Sequence, residues 1–217
     1  MNEASAEVIP YEDRFDAHHD WGMNQGSRHF SGESDVWRSL RRVARRLDDL
    51  GVRYAAIGAI ALFLHGYRRF TTDVDLIVTA DGLEAIHARL DDLGCVRPDP
   101  ARKSVRDIET GVRFDLFVTG KFPGDGQPKP VAFPDPAESS VTSAGITHVN
   151  LPTFLDLNLA SGMTGGLRRM KDLANVVGLI KARSLPANLA DQLDPFVRAR
   201  YLEIWRELQT PDPHDLA

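Results

Sequence analysis

Asp73-Val74-Asp75 and, further along, Phe114-Asp115-Leu116 hold three carboxylates whose spacing suits chemistry. Asp73 and Asp75 stand two apart, so a strand directs both to one face while Val74 and Leu76 take the other. Carboxylates packed this closely repel each other, and a divalent cation relieves the repulsion. Mg²⁺ in particular is held by one or two carboxylates together with substrate phosphates. In the run from Val112 to Val118, the residues Val112, Phe114, Leu116 and Val118 line one apolar face and Asp115 falls on the opposite one. Two such strands side by side would bring the three carboxylates to one point. Read singly, each Asp is a solvated residue on a half-exposed strand. Taken together, with Gly58 upstream, they read as a site.

The elements that must position them follow from the same patterning. Ser34 or Asp35 can cap a first helix, expected over 35–50 and ended by Gly51. Residues 53–57 read as a short buried strand arriving at Gly58, 59–65 as a helix stopped by Gly66, and 72–78 as the aspartate strand. A helix over 81–93 with Gly94 as its C-cap leads on to the 112–118 strand. From Gly120 to Pro136, recurrent prolines and glycines forbid a regular helix, which leaves a plain linker or a loop over the site. Beyond it, 146–151 reads as a strand and 153–160, 167–183 and 195–208 as helices. Helix and strand alternate in the first half, which argues for an α+β fold: a small mixed sheet flanked by helices, with a helical C-terminal region. The expected divisions are an N-terminal extension over 1–34, rich in charge, Gly and His and partly disordered, a core over 35–120, a Pro/Gly-rich loop over 121–140, and a mainly helical region over 141–217.

Gly58-Ala59, the run Arg69-x-Thr71-x-Asp73-Val74-Asp75-Leu76 and Phe114-Asp115-Leu116 together resemble the nucleotidyltransferase superfamily with the DNA polymerase β-like fold. The likeness is in particular to small bacterial AbiEii-type toxin nucleotidyltransferases. A second block, Leu157-Asn158-Leu159-Ala160-Ser161-Gly162 followed by Arg169-Met170-Lys171-Asp172-Leu173-Ala174, is similar to the helical segment of that group, and the resemblance spans residues 35–208. It implies transfer of a nucleotidyl group from an NTP, ATP among them, to a hydroxyl acceptor, with Mg²⁺ or Mn²⁺ held by Asp73, Asp75 and Asp115. Asp115 could also accept the proton of the attacking hydroxyl. Gly58 and Ala59 would offer backbone N–H groups to the phosphates. Lys171 would neutralise phosphate charge, and Asp172 would position Lys171 or the acceptor. Arg69 and Thr71 share the strand parity of Asp73, so they could reach the nucleotide or brace the carboxylates.

The chain departs from the superfamily pattern at three positions. Gly58 is followed by Ala59 where Gly or Ser is usual, and Asn158 and Asn175 stand where related proteins often carry Lys and Asp. These departures favour an alternative, a catalytically inactive nucleotide- or partner-binding protein of the same fold. The three intact acidic positions favour the enzyme. The residues do not name the acceptor, since RNA, a protein hydroxyl and a small alcohol such as an antibiotic present the same attacking oxygen; the resemblance points to RNA, the tRNA 3′ end above all, with a toxin-like role and a cognate antitoxin protein as partner.

Composition sets outer limits on these readings. Of 217 residues, 42% are hydrophobic and 26% charged, as in a soluble globular protein. No apolar run approaches the ~20 residues that span a bilayer. Residues 1–7 lack the basic and apolar regions of a signal peptide, and Cys95 has no cysteine to pair with, so the cytoplasm is expected. A net charge of −5 argues against nucleic-acid binding through overall charge. Locally, Arg38, Arg41, Arg42, Arg45 and Arg46 recur at helical spacing, either as a solvated outer face or as a phosphate-tracking stripe for RNA. His18, His19 and His29 lack companion ligands and do not read as a metal site. His65 reads as a structural histidine bonded to backbone.

Overall fold

The computed structural model describes residues 8–210. The chain enters through α1 (Tyr11–Ala17) and α2 (His19–Phe30), then runs through α3 (Asp35–Asp49), β1 (Tyr54–Ala56), α4 (Gly58–Leu64) and β2 (Asp73–Val78). Next come α5 (Ala80–Ala88), α6 (Leu90–Leu93), β3 (Cys95–Val96), β4 (Val105–Asp107) and β5 (Arg113–Val118). The second half holds α7 (Pro136–Ser139), β6 (Ser140–Ser143), β7 (Ile146–Val149), α8 (Leu151–Thr164), α9 (Met170–Arg183) and α10 (Pro195–Gln209). The helix expected over 81–93 is broken at Arg89, whose backbone leaves the helical region (φ −128°, ψ 37°). Gly94 closes α6 in the left-handed conformation.

Seven strands form one mixed sheet in the order β3-β4-β5-β2-β1-β7-β6, so the fold is α+β with a mixed sheet flanked by helices. At its centre β2 runs antiparallel to β1 and parallel to β5. Alternation along these strands sorts side chains into two cores. Val74, Leu76, Val78, Phe114 and Leu116 face α3 and the helices around it. Ala55, Ile57 and Ile77 face the other way, with α8, α9 and α10 packed over them. The aspartates share the parity of Ile77, so they belong to the face covered by the C-terminal helices. The segment between β5 and α7 is more than a linker. Phe133 and Val131 are buried, and Phe133 N–H donates to Lys121 O at 2.8 Å, which staples the segment to the end of β5.

The 1–34 extension, expected to be partly disordered, is helical over most of its described length; residues 1–7 lie outside the described residues. Tyr11 is fully buried, its N–H donates to Gly111 O at 3.0 Å, and Phe15 stacks on Phe70 at 4.7 Å. Polar composition concealed this, because a few large aromatics carry the packing. Gln25 of α2 even takes over the start of α3, accepting from Asp35 N–H at 2.8 Å, while Ser34 turns instead to His29. The arginine stripe of α3 lies across the sheet from the aspartates, with Arg38, Arg41 and Arg45 exposed as on a solvated outer face. Arg42 pairs with Asp107 and Glu109, Arg38 with Asp35, and Arg46 donates to Leu93 O at 2.6 Å. None of these five arginines reaches the carboxylates.

Because Tyr11 belongs to the main core, Tyr11→Ala should cost about 3 kcal/mol, as for other buried aromatics. Urea denaturation measures it. A loss below about 1 kcal/mol would show that α1 peels away without consequence.

Candidate active site

Cross-strand register builds the site. Asp73 lies opposite Arg113 and Asp75 opposite Asp115 across the parallel β2–β5 pair, all four on one face. Three carboxylates thus share a patch of sheet with one guanidinium. Arg113 Nη2 lies 3.0 Å from Asp73 Oδ2 and 3.2 Å from Asp115 Oδ2. Thr71 Oγ1 donates to Asp73 Oδ1 at 2.6 Å, so Thr71 braces a carboxylate.

Gly58 sits beneath Asp75. Its φ is +58°, and a Cβ there would stand 2.1 Å from Asp75 Oδ2, so glycine is required both by conformation and by space. Ile57 N–H donates to Asp75 O at 2.9 Å and fixes this approach. The first turn of α4 has no side-chain cap among the described residues, which leaves the N–H groups of Gly58 and Ala59 without the usual side-chain partner.

A cleft of about 630 Å³ opens between this sheet face, the 121–126 segment and helices α8 and α9. Gly58, Arg69, Asp75, Asp115, Lys171 and Asp172 line it, so most of the residues singled out in the sequence meet there. Ala59 and Thr71 are buried behind the lining, and Asp73 is turned aside towards Thr71 and Arg113. Asp172 is buried and accepts from Ser161 Oγ at 2.6 Å, so it ties α9 to α8. Asn175 Nδ2 donates to Asn158 Oδ1 at 3.1 Å, and Asn158 Nδ2 to Phe154 O at 2.9 Å. The two amides therefore satisfy one another in a buried place where a lone charge would be costly. His65 bonds Val149 O through Nε2 at 2.9 Å and takes the backbone-bonded structural role read from its position.

Sequence reading had overlooked Arg113, Ser161, Arg102 and Lys121. Strand parity puts Arg113 on the face of Asp115, two residues before it, but its partner Asp73 comes from the neighbouring strand. The others come from loops and a helix that only the fold brings to the cleft.

Burial, and next the charges of Asp73 and Asp115, raise Asp75 to about 7, with Lys171 and Arg113 pulling partly back. Burial also raises Asp115, against the pull of Arg113. A carboxylate cluster short of positive charge suits a hard divalent cation. Among the described residues no three acidic, imidazole or thiol groups are drawn together as a ready ligand set, and the space between Asp73 and Asp115 is filled by the Arg113 guanidinium. The donor chemistry fits a metal once that guanidinium moves.

The chain matches no protein-family model and no curated protein. Among solved structures it is similar to ANT(2″)-Ia in complex with adenylyl-2″-tobramycin, at a TM-score of 0.48 and 13% identity over 76% of this chain and 95% of that one. It is similar also to the solution structure of the antibiotic-resistance factor ANT(2″)-Ia, at 0.49 and 13% over 79% and 94%. At that level the likeness is one of overall shape, and the site is read from its own geometry. No helix among the described residues is long and apolar enough to cross a membrane.

Two outcomes follow from the geometry of Asp75. Its carboxyl titrates near ~4 in the unfolded chain and near about 7 in the folded, metal-free one. Between these values the folded state binds more protons, so this group's contribution to stability falls as pH rises through the window. Melting temperatures in EDTA should therefore drop more steeply with pH for wild type than for Asp75→Asn; equal slopes would place the dependence elsewhere. Gly58→Ala should destabilise by at least about 1 kcal/mol from backbone conformation alone, and a neutral result in chemical denaturation would mean that Gly58 is not held in the left-handed conformation.

Proposed function

We propose that the chain is a nucleotidyltransferase with the polymerase β-like fold, moving a nucleotidyl group from an NTP to a hydroxyl acceptor with the help of divalent cations. The observation that carries this reading is the register of Asp75 against Asp115 in a cleft lined by cations, with Asp73 two residues from Asp75 on the same strand face. Divalent ions, when bound, would neutralise the triphosphate and ease in-line attack at the α-phosphorus. Asp73, Asp75 and Asp115 would hold them. Asp115, opposite Asp75 in the cleft, would also take the proton of the attacking hydroxyl. As the new oxygen–phosphorus bond forms, the α–β phosphoanhydride breaks and pyrophosphate leaves. Gly58 and Ala59 N–H groups, Arg69 and Lys171 would receive the phosphates; Arg69 lines the cleft, and its Nε is buried with no partner among the described residues.

The acceptor we favour is anionic, and RNA with a free 3′ hydroxyl fits best. Arg69, Arg102, Lys103, Lys121, Arg169 and Lys171 line the cleft against four aspartates. The side-chain charge of that lining is positive on balance, which would attract a phosphodiester. An activity on the tRNA 3′ end would be toxin-like, with a cognate antitoxin as partner. A second reading, a catalytically inactive nucleotide-binding protein of the same fold, is favoured by one observation: the Arg113 guanidinium lies where a cation would be held.

Incubation with labelled NTPs, Mg²⁺ and total RNA separates the two. Label on RNA that is lost with Asp75→Asn supports transfer. Label on protein alone rejects the RNA acceptor. No transfer despite measurable NTP binding selects the inactive reading.

A further inference from the structure

Arg113 has acidic neighbours on two sides. On one side a single nitrogen, Nη2, is shared between Asp73 and Asp115 at 3.0 and 3.2 Å, so neither carboxylate receives the two-pronged contact that makes arginine–carboxylate pairs strong. Its Nε is buried without a hydrogen-bond partner among the described residues. On the other side Nη1 lies 3.9 Å from Glu12 Oε1. Glu12 is not held there by Arg113. Arg106 grips it with both nitrogens, at 2.8 and 2.9 Å, and α1 is anchored one residue earlier by Tyr11 N–H on Gly111 O. The fold thus places a fixed carboxylate behind a loosely satisfied guanidinium, on the side away from the cluster.

We propose that Arg113 is an internal counter-cation of the carboxylate cluster, a positioning residue that keeps Asp73 and Asp115 gathered while no divalent ion is bound and turns to Glu12 when one enters. This rests on the metal-binding reading of the site. A monovalent guanidinium offsets part of the like-charge repulsion but leaves Asp75 uncompensated, so a divalent ion is the stronger partner for the same oxygens. The guanidinium must leave as the ion arrives, because two cations in one space repel. Glu12 shortens that move to a swing about the arginine's own side chain. In this way the N-terminal helices, remote in sequence from the aspartates, become part of the metal response.

The test is Mn²⁺ binding without nucleotide, read by calorimetry or by loss of the free-ion paramagnetic signal, together with melting in EDTA. Arg113→Met should tighten Mn²⁺ by about threefold or more, the scale of a part-exposed ion pair, and should lower the melting temperature in EDTA in a way that Mn²⁺ restores. Glu12→Gln should weaken Mn²⁺ binding in wild type and have no effect in the Arg113→Met background, since its role runs through Arg113. Unchanged or weakened Mn²⁺ binding in Arg113→Met overturns the proposal, as does a Glu12→Gln effect that persists without Arg113. Should Arg113→Met fail to fold, Glu12→Gln alone decides: weaker Mn²⁺ binding supports the proposal, and unchanged or tighter binding overturns it. The metal-binding reading is judged separately. Wild type that takes up no Mn²⁺ removes both, whereas uptake by wild type and not by Asp73→Asn keeps that reading and leaves Arg113 to the variants.

Discussion

Three carboxylates on one face of a sheet repel each other, and the rest of the site is arranged around that repulsion. Register creates it: the parallel pairing of β2 and β5 sets Asp75 directly against Asp115. On that face Ile77 and Phe117, further along the two strands, pack with the C-terminal helices. Further burial comes from the opposite parity, where Val74, Leu76, Phe114 and Leu116 are buried against α3. One strand pair therefore does two opposed things, and alternation keeps them apart. Partial remedies surround the cluster, with Thr71 donating to Asp73, Arg113 bridging two aspartates and Lys171 lending distant positive charge. Burial first, and next the neighbouring carboxylates, raise the pKa of Asp75.

The same constraint explains Gly58. A carboxylate recessed against the chain needs a neighbour with no side chain, and the left-handed backbone at the start of α4 needs the same residue. Gly58 therefore ties three things together: the turn out of β1, the depth of Asp75 and the uncapped first turn of α4. A Cβ would disturb all three at once.

How much of this was legible in the sequence depends on the range over which each signal acts. Period-two alternation is local, so the aspartate strands and their polar face could be read from residues 73–78 and 113–118 alone. The mixed sheet with a helical C-terminal region followed from element order. The strands β3 and β4 are two and three residues long, too short for a period to show. The N-terminal helices were hidden for a different reason. Their composition is polar, and what orders them is a set of long-range aromatic contacts, Phe15 and His29 against Phe70. The arginine stripe of α3 displays correct helical spacing, but spacing cannot tell solvent from an ion pair. Asp107, which pairs with Arg42, comes from a strand 65 residues further on. Arg113 was visible by parity, yet a lone arginine on a strand carries no signal until Asp73 is known to lie opposite it.

The C-terminal helices carry a matched neutral pair at a buried wall of the cleft. Asn158 and Asn175 face each other across α8 and α9, each buried and each bonded. Had only one of the two positions been an amide and the other an ion, the ion would have been buried without a counter-charge, which is strongly destabilising. As a pair they keep the two helices in register and leave the electrostatics of that wall to Lys171 and Arg169 at the cleft and to the Ser161–Asp172 contact beneath. Close helix approach does the rest. Gly162 lies so near Leu173 that a Cβ would stand 2.5 Å from its Cγ. The wall facing the aspartates is thus held by packing and matched amides, and its exposed cations are free to meet a ligand's negative charge.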